Sequence, residues 1–460
     1  MQSASRPIAA TVVPPAPVVH STDPPVWYAL WAALHSSLKI WPAYAFDTRF
    51  HQWRVFGIDV ALVNDPEAVR QVLITNSANY ERSIAVRRLA KPFSGEGLFV
   101  AEGDEWRRQR LIMAPSFTPA SMNVLIPHFH AAAERLVDEI GGHENFNLAT
   151  AFRTAALDAV MRALFSIRDR EVRDILDRKV RAYLDGPGRP SVFDGMATAD
   201  NQFAFQTRRR RRFQLTWFAA LDPIVTARRT QVADGRHRDM LDLLIGSRDA
   251  NTGEALSDRE IRDQCSTMIF AGSETTARLL FWSCYLLTLD INEQDRLRAE
   301  IEAFPPDQLT KLDDLQNWPG LRNVVLEALR LYPPLPHILR RAIGSDKICG
   351  YDIAPNTQVW ISPWIMHRHN KFWDKPTAFA PDRFVGKLAP WVQMPGYIPF
   401  GAGPRICIGL HIALTEAYIM LARLLWCYKI SLPTRKPVVP IGRSTIEPSY
   451  EPMFGLERVN

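Results

Sequence analysis

The chain has 460 residues, of which 47% are hydrophobic and 23% charged; this excludes a disordered or fibrous protein, and at ~150 residues per domain it allows roughly three domains. Lys and Arg number 55 against 49 Asp and Glu, a net charge of +6 that suits an acidic partner without requiring one. The five cysteines, Cys265, Cys284, Cys349, Cys407 and Cys427, are scattered with no C-x-x-C pair, which argues against a disulfide framework or zinc ribbon and for a reducing, cytoplasmic compartment.

In chain order, residues 1–26 are Pro-rich with Arg6 as their basic residue, and read as a flexible tail rather than a signal or transit peptide. Residues 27–75 mix short apolar runs such as 55–63 with an Asp65-Pro66 turn, a small strand and helix module. Apolar residues at i, i+3, i+4 spacing then predict helices over 104–114, 122–141, 149–167, 170–184, 204–232, 239–247, 257–289, 291–303 and 320–332. The longest opens on Ser257-Asp258-Arg259-Glu260, a capping box, and about 32 residues would carry it about 48 Å across the fold. Its apolar middle predicts burial, so Ser273, Glu274, Thr275 and Thr276 at its centre need partners. Beyond 333 come Pro-rich turns, a strand near 358–362, an irregular stretch over 370–405 and a last helix over 408–427. The apolar runs 26–34 and 279–289 fall short of the roughly 20 residues that span a bilayer, so no transmembrane anchor is expected.

The chemistry concentrates at Phe400-Gly401-Ala402-Gly403-Pro404-Arg405-Ile406-Cys407-Ile408-Gly409. A glycine-permitted loop places one cysteine just before a helix, where backbone amides and the helix N-terminus favour thiolate over thiol. Arg405, two residues away, would pair with an anionic group of whatever the thiolate binds.

This segment resembles the haem-binding loop of the cytochrome P-450 family, matching F-x-x-G-x-R-x-C-x-G at every specified position. Glu327-Ala328-Leu329-Arg330 is similar to the family's E-x-x-R, Pro381-Asp382-Arg383-Phe384 to its P-E-R-F, and Ala271-Gly272-Ser273-Glu274-Thr275-Thr276 to its A-G-x-[D/E]-T-T. The resemblance implies a mainly α fold, a large helical bulk around a long central helix with a small β-rich lobe, covering 27–460 as one domain. It implies haem b on Cys407, propionate contacts from Trp106 and Arg110 (W-x-x-x-R), Arg405 and Arg340, Phe400 beside the haem, and a Glu327/Arg330/Arg383 network supporting the cysteine loop. Glu274 and Thr275 would relay protons during dioxygen activation. The implied activity is that of a soluble, bacterial-type haem-thiolate monooxygenase, drawing electrons from NAD(P)H through a separate partner and oxidising a hydrophobic small molecule. A peroxygenase, a rearranging enzyme and a haem sensor are the alternatives, and the intact Glu274-Thr275 pair argues against them. His367 and His369 read as turn or surface residues.

Arg107 and Arg108, on other faces of the Trp106 helix, are expected to be exposed and to receive an acidic ferredoxin- or flavodoxin-type donor. The run Arg208 to Arg212 reads as a solvated, partly paired face; adjacent arginines point all round a helix, so nucleic-acid binding is not expected. The substrate lining is expected from Ser83 to Val100, Phe203 to Trp217, Met268 to Ile269, Leu335 to Leu339 and Glu447 to Phe454, suiting a hydrophobic molecule that carries an acid.

Overall fold

The computed structural model describes residues 12–229, apart from 168, 190, 192–193, 195–196 and 198–205, together with residues 237–460. The central helix is Asp258–Leu289, closed at its start by the expected capping box: Ser257 N donates to Glu260 Oε2 (2.8 Å) while Glu260 N donates to the Ser257 hydroxyl (3.3 Å). Helix Leu148–Phe165 lies against it. Ala151, Ala155, Ala156, Ala159 and Ala163 are all buried on that helix, and such small side chains let two backbones approach closely. Gly272 belongs to the same contact, since a Cβ there would stand 3.1 Å from Val160 Cγ2.

Helices Pro119–Ile140 and Leu410–Cys427 pack on each other and complete the bulk of the core. Among the described residues, Leu410–Cys427 is the one helix long and apolar enough to cross a membrane, but 72% of it is buried inside the protein, as befits a core helix. The remaining predicted helices appear as Gly103–Met113, Arg170–Leu184, Thr207–Arg229, Met240–Gly246, Ile291–Ala303 and Pro319–Leu331. The predicted start of the fifth helix, at 204, lies outside the described residues.

The β-rich lobe has its own smaller core under a five-stranded sheet in the order Phe50–Val55, Ile58–Val63, Gln358–Ile361, Ile338–Ala342, Tyr80–Arg82. The apolar run 55–63 is therefore no single strand. It breaks at Phe56 and Gly57, both at positive φ, into an antiparallel hairpin whose turn needs those conformations. On the far edge the register sets Arg82 opposite Arg340. Helix Val26–His35 is apolar on nearly every side, whereas Ile84–Ser94 carries an apolar stripe, Val86, Leu89, Ala90 and Phe93, at i, i+3, i+4, i+7 spacing that the predicted helices did not include, with Pro92 in its last turn.

Within the segment expected to be a flexible tail, residues 12–25 run along the body. Phe379 N donates to Val12 O (2.9 Å), Ala43 N to His20 O (2.7 Å) and the Tyr332 hydroxyl to Pro15 O (3.3 Å). A proline-rich strand has few donors of its own, so the body supplies the donors that hold it.

Candidate active site

The cysteine loop leads directly into helix Leu410–Cys427. Gly403 has φ +70°, and a Cβ there would lie 2.1 Å from Leu73 O, so no other residue fits. Cys407 N donates to Phe400 O (3.0 Å), which closes the loop. The accessible surface of Cys407 is cavity surface: it lines a cavity of about 1480 Å³ that also takes in Phe400, Gly272, Glu274 and Thr275. That exceeds the ~300–1,000 Å³ of a pocket for one ligand, leaving room for a prosthetic group and a substrate together. Burial raises the Cys407 thiol, opposed by the Gly409 amide and by Arg110 and Arg82; a metal would hold it as thiolate.

Among the arginines that line the same cavity are Arg82, Arg110, Arg340 and Arg405. Arg405 forms a close ion pair with Glu102, donates to Ala101 O (3.0 Å) and lies 4.4 Å above the Trp106 ring, so the predicted Trp106 and Arg405 do meet. Burial, and then its fellow arginines Arg340 and Arg405, pushes Arg82 down to about 9; burial and Arg405 push Arg340 down to about 10. Arg82 Nε is buried without a partner. So crowded a set of cations beside a cysteine, Arg340 buried and the other three half-buried, is a demand for anions, and the two propionates of a haem held by Cys407 would meet it. The residues present fit the group.

Arg82 and Glu102 escape a reading by motif. Arg82 matters only because the sheet register brings it beside Arg340, and Glu102 joins the two halves by accepting from Arg82 N (3.1 Å) while pairing with Arg405. Arg82→Leu is expected to raise or preserve the melting temperature of the haem-free protein, because it relieves repulsion among crowded, largely shielded cations. The same change should speed haem loss to an acceptor globin about tenfold; unchanged haem loss would remove Arg82 from the propionate site.

On the central helix the Thr275 hydroxyl donates to Ala271 O, one turn back, at 2.6 Å, which loosens the helix where the cavity meets it. Glu274 does not stand alone. Its Oε1 accepts from Arg278 Nε (2.7 Å) and lies 3.5 Å from the Thr445 hydroxyl, while Arg278 is 3.9 Å from Glu447, itself bonded by Arg443 (3.0 Å). Burial raises the Glu447 carboxyl.

Beneath the loop, Glu327 and Arg330 pair at 2.7 Å with both side chains wholly buried, and Arg383 joins at 3.1 Å. Arg330 also donates to His367 O (2.7 Å), Pro376 O (2.6 Å) and Ala378 O (2.8 Å). His367 is no surface residue: it is fully buried, its Nε2 accepts from Ile398 N (2.9 Å) and its Nδ1 faces Arg330 O (3.2 Å). It thereby connects the ion-pair network to the start of the cysteine loop. His369 is buried too, against Thr48 O.

A profile of the cytochrome P-450 family matches residues 24–451. The chain belongs to the cytochrome P-450 family. It is 28% identical over 422 residues to a cytokinin hydroxylase of Arabidopsis thaliana, covering 88% of this chain and 80% of the relative. To the cyclooctatin synthase of Streptomyces melanosporofaciens it is 30% identical over 367 residues, covering 78% of this chain and 77% of the relative. The heme domain of cytochrome P-450DA superposes with a TM-score of 0.76 at 25% identity, over 89% of this chain and 90% of that one. As a cytochrome P-450 the chain is a haem-thiolate monooxygenase with haem b, fed by NAD(P)H through a redox partner and acting on a hydrophobic substrate.

Other expectations about this P-450 change. Arg108 is not an exposed cation; it is folded among Glu105, Glu254 and Glu260. Arg107 stays two-thirds exposed, beside Asp104. The arginine run, by contrast, has the solvated, partly paired character expected of it: Arg210 is buried on Asp194 (2.7 and 2.8 Å), while its neighbours Arg208, Arg209, Arg211 and Arg212 are exposed. Phe213 and Trp217 stand behind the cavity wall, against Phe270; the predicted lining residues 203–205 lie outside the described residues. The wall includes Trp41 and Trp53 instead, which the motifs do not announce.

Proposed function

We propose that this P-450 is a soluble, bacterial-type cytoplasmic monooxygenase in which Cys407 ligates the haem iron. In this reading Trp106, Arg110, Arg340, Arg405 and Arg82 hold the propionates, and Phe400 packs beside the ring. The carrying observation is the juxtaposition of Cys407 with a crowd of buried and half-buried arginines on one large cavity. When bound, the haem supplies the dioxygen chemistry, with the thiolate pushing electron density toward O–O cleavage. Apart from Cys407, the cysteines Cys265, Cys284, Cys349 and Cys427 are free thiols, in keeping with a reducing compartment.

The chain's own part is to govern protons and water. Thr275 Oγ1 can exchange its bond to Ala271 O for one into the cavity, and the Glu274 carboxylate, held by Arg278, can resupply a proton that it has first taken up from solvent. Thr275→Ala should lower product formed per NAD(P)H at least about tenfold, with the missing electrons appearing as peroxide. Thr275→Ser should retain the coupling. Unchanged coupling in Thr275→Ala would take Thr275 out of the relay.

The electron donor in this reading is an acidic ferredoxin or flavodoxin. Arg107, 67% exposed on the helix that carries Trp106 and Arg110, supports it. Arg108 does not, being neutralised by its three carboxylates. Arg107→Glu should slow the first electron transfer several-fold at low salt and converge on the parent rate at high salt; equal rates at low salt would count against this docking face.

A further inference from the structure

One corner of the cavity has unmet hydrogen-bonding capacity and no charge. Trp41 Nε1 and both ring nitrogens of His337 are buried without a partner. The two rings lie 5.7 Å apart, and Trp360 closes the triangle at 5.8 Å from Trp41 and 5.6 Å from His337. All three line the cavity.

The backbone holds the triangle firmly. Trp360 lies within strand Gln358–Ile361, paired with Leu62 on one side and Leu339 on the other. His337 directly precedes strand Ile338–Ala342. Ile338, one residue on, places its Cδ1 3.9 Å from where a Cβ on Gly401 would sit, so the triangle stands next to the cysteine loop in the fold. Trp41 is 3% exposed.

Buried polar atoms are nearly always paired. Three unpaired nitrogens at one place on a cavity wall therefore mark where a ligand's polar atom belongs. Burial alone moves the His337 imidazole, down to about 3, so the ring is neutral at physiological pH and offers one donor and one acceptor. The Trp41 indole offers a donor only. No charged group shifts the His337 ring, so a carboxylate at this corner would lack a counter-ion, and an acid would find its cations elsewhere on the cavity wall. A hydroxyl satisfies the pair best, accepting from Trp41 Nε1–H and donating to the bare nitrogen of His337.

We propose that Trp41 and His337 form a specificity subsite for an uncharged hydroxyl carried on a hydrophobic skeleton, with Trp360 as its apolar side. The proposal rests on the monooxygenase reading for the placement of the skeleton over the haem; the hydroxyl contacts stand on their own geometry.

The test uses the haem-loaded full-length protein and three probes, dodecan-1-ol, 1-methoxydodecane and dodecane, titrated by calorimetry and by the shift of the haem Soret band. The alcohol should bind about tenfold more tightly than the alkane, and more tightly than the ether, which can accept from Trp41 but cannot donate to His337. His337→Phe should reduce the preference to within about twofold while leaving alkane binding intact, and His337→Asn should restore part of it. Equal binding of alcohol and alkane to the parent would overturn the subsite, a comparison that needs no variant to fold. An alcohol preference in protein that lacked the thiolate carbonyl band would support the subsite and overturn the haem-thiolate assignment.

Discussion

Cys407→Ala is expected to abolish the red-shifted band of the ferrous carbonyl complex and to lower monooxygenase turnover by more than about 100-fold, since loss of a ligand should cost at least what loss of its supporting shell costs. The cysteine side chain faces the cavity from a loop in which Cys407 N is bonded to Phe400 O and Gly403 is pressed against Leu73 O. Alanine leaves that backbone untouched, so the fold should persist and the four arginines should still attract the propionates. What disappears is the sulfur's electron donation. Cys407→His is the sharper control, because imidazole also ligates haem iron: haem content should recover while the red-shifted band stays absent. A parent protein without that band would sink the assignment of Cys407, whatever its haem content.

The helical bulk was readable because a helix that buries one face repeats its apolar residues at a fixed spacing, and the central helix added a capping box at Ser257 and Glu260 that the fold retains. The cysteine loop was readable because Gly403 has no substitute at its position. Arg82 was not: nothing in Tyr80-Glu81-Arg82 marks it apart from any surface arginine, and its place opposite Arg340 depends on pairing two short strands far apart in the chain. Arg108 misled for the same reason. Its charge is cancelled partly by Glu105 on its own helix, but also by Glu254 and Glu260, which no local pattern brings near. His367 shows the limit of residue type alone, since an imidazole suits a surface turn and a buried relay of hydrogen bonds equally well. Local periodicity thus fixed what each helix buries, while the electrostatics of the site came from contacts between distant segments.

Those distant contacts make the second prediction. Glu327→Gln should destabilise the protein by about 3–5 kcal/mol, because it leaves Arg330 charged, wholly buried and without its counter-ion. Arg330 is the knot through which His367 O, Pro376 O and Ala378 O are tied to helix Pro319–Leu331, and His367 passes the constraint on to Ile398 N, just ahead of Phe400. A weakened knot should therefore appear at the cysteine as well as in overall stability: a lower denaturant midpoint together with a smaller fraction of the protein showing the thiolate carbonyl band. Arg383→Gln touches the same carboxylate from a partly exposed position, 14% against 0% for Glu327, where solvent replaces much of what is lost. Its cost should be about 1 kcal/mol, with the thiolate band nearly intact. Equal losses for the two variants would contradict this ordering, and a destabilised Glu327→Gln protein with a full thiolate band would uncouple the network from the loop it is argued to support.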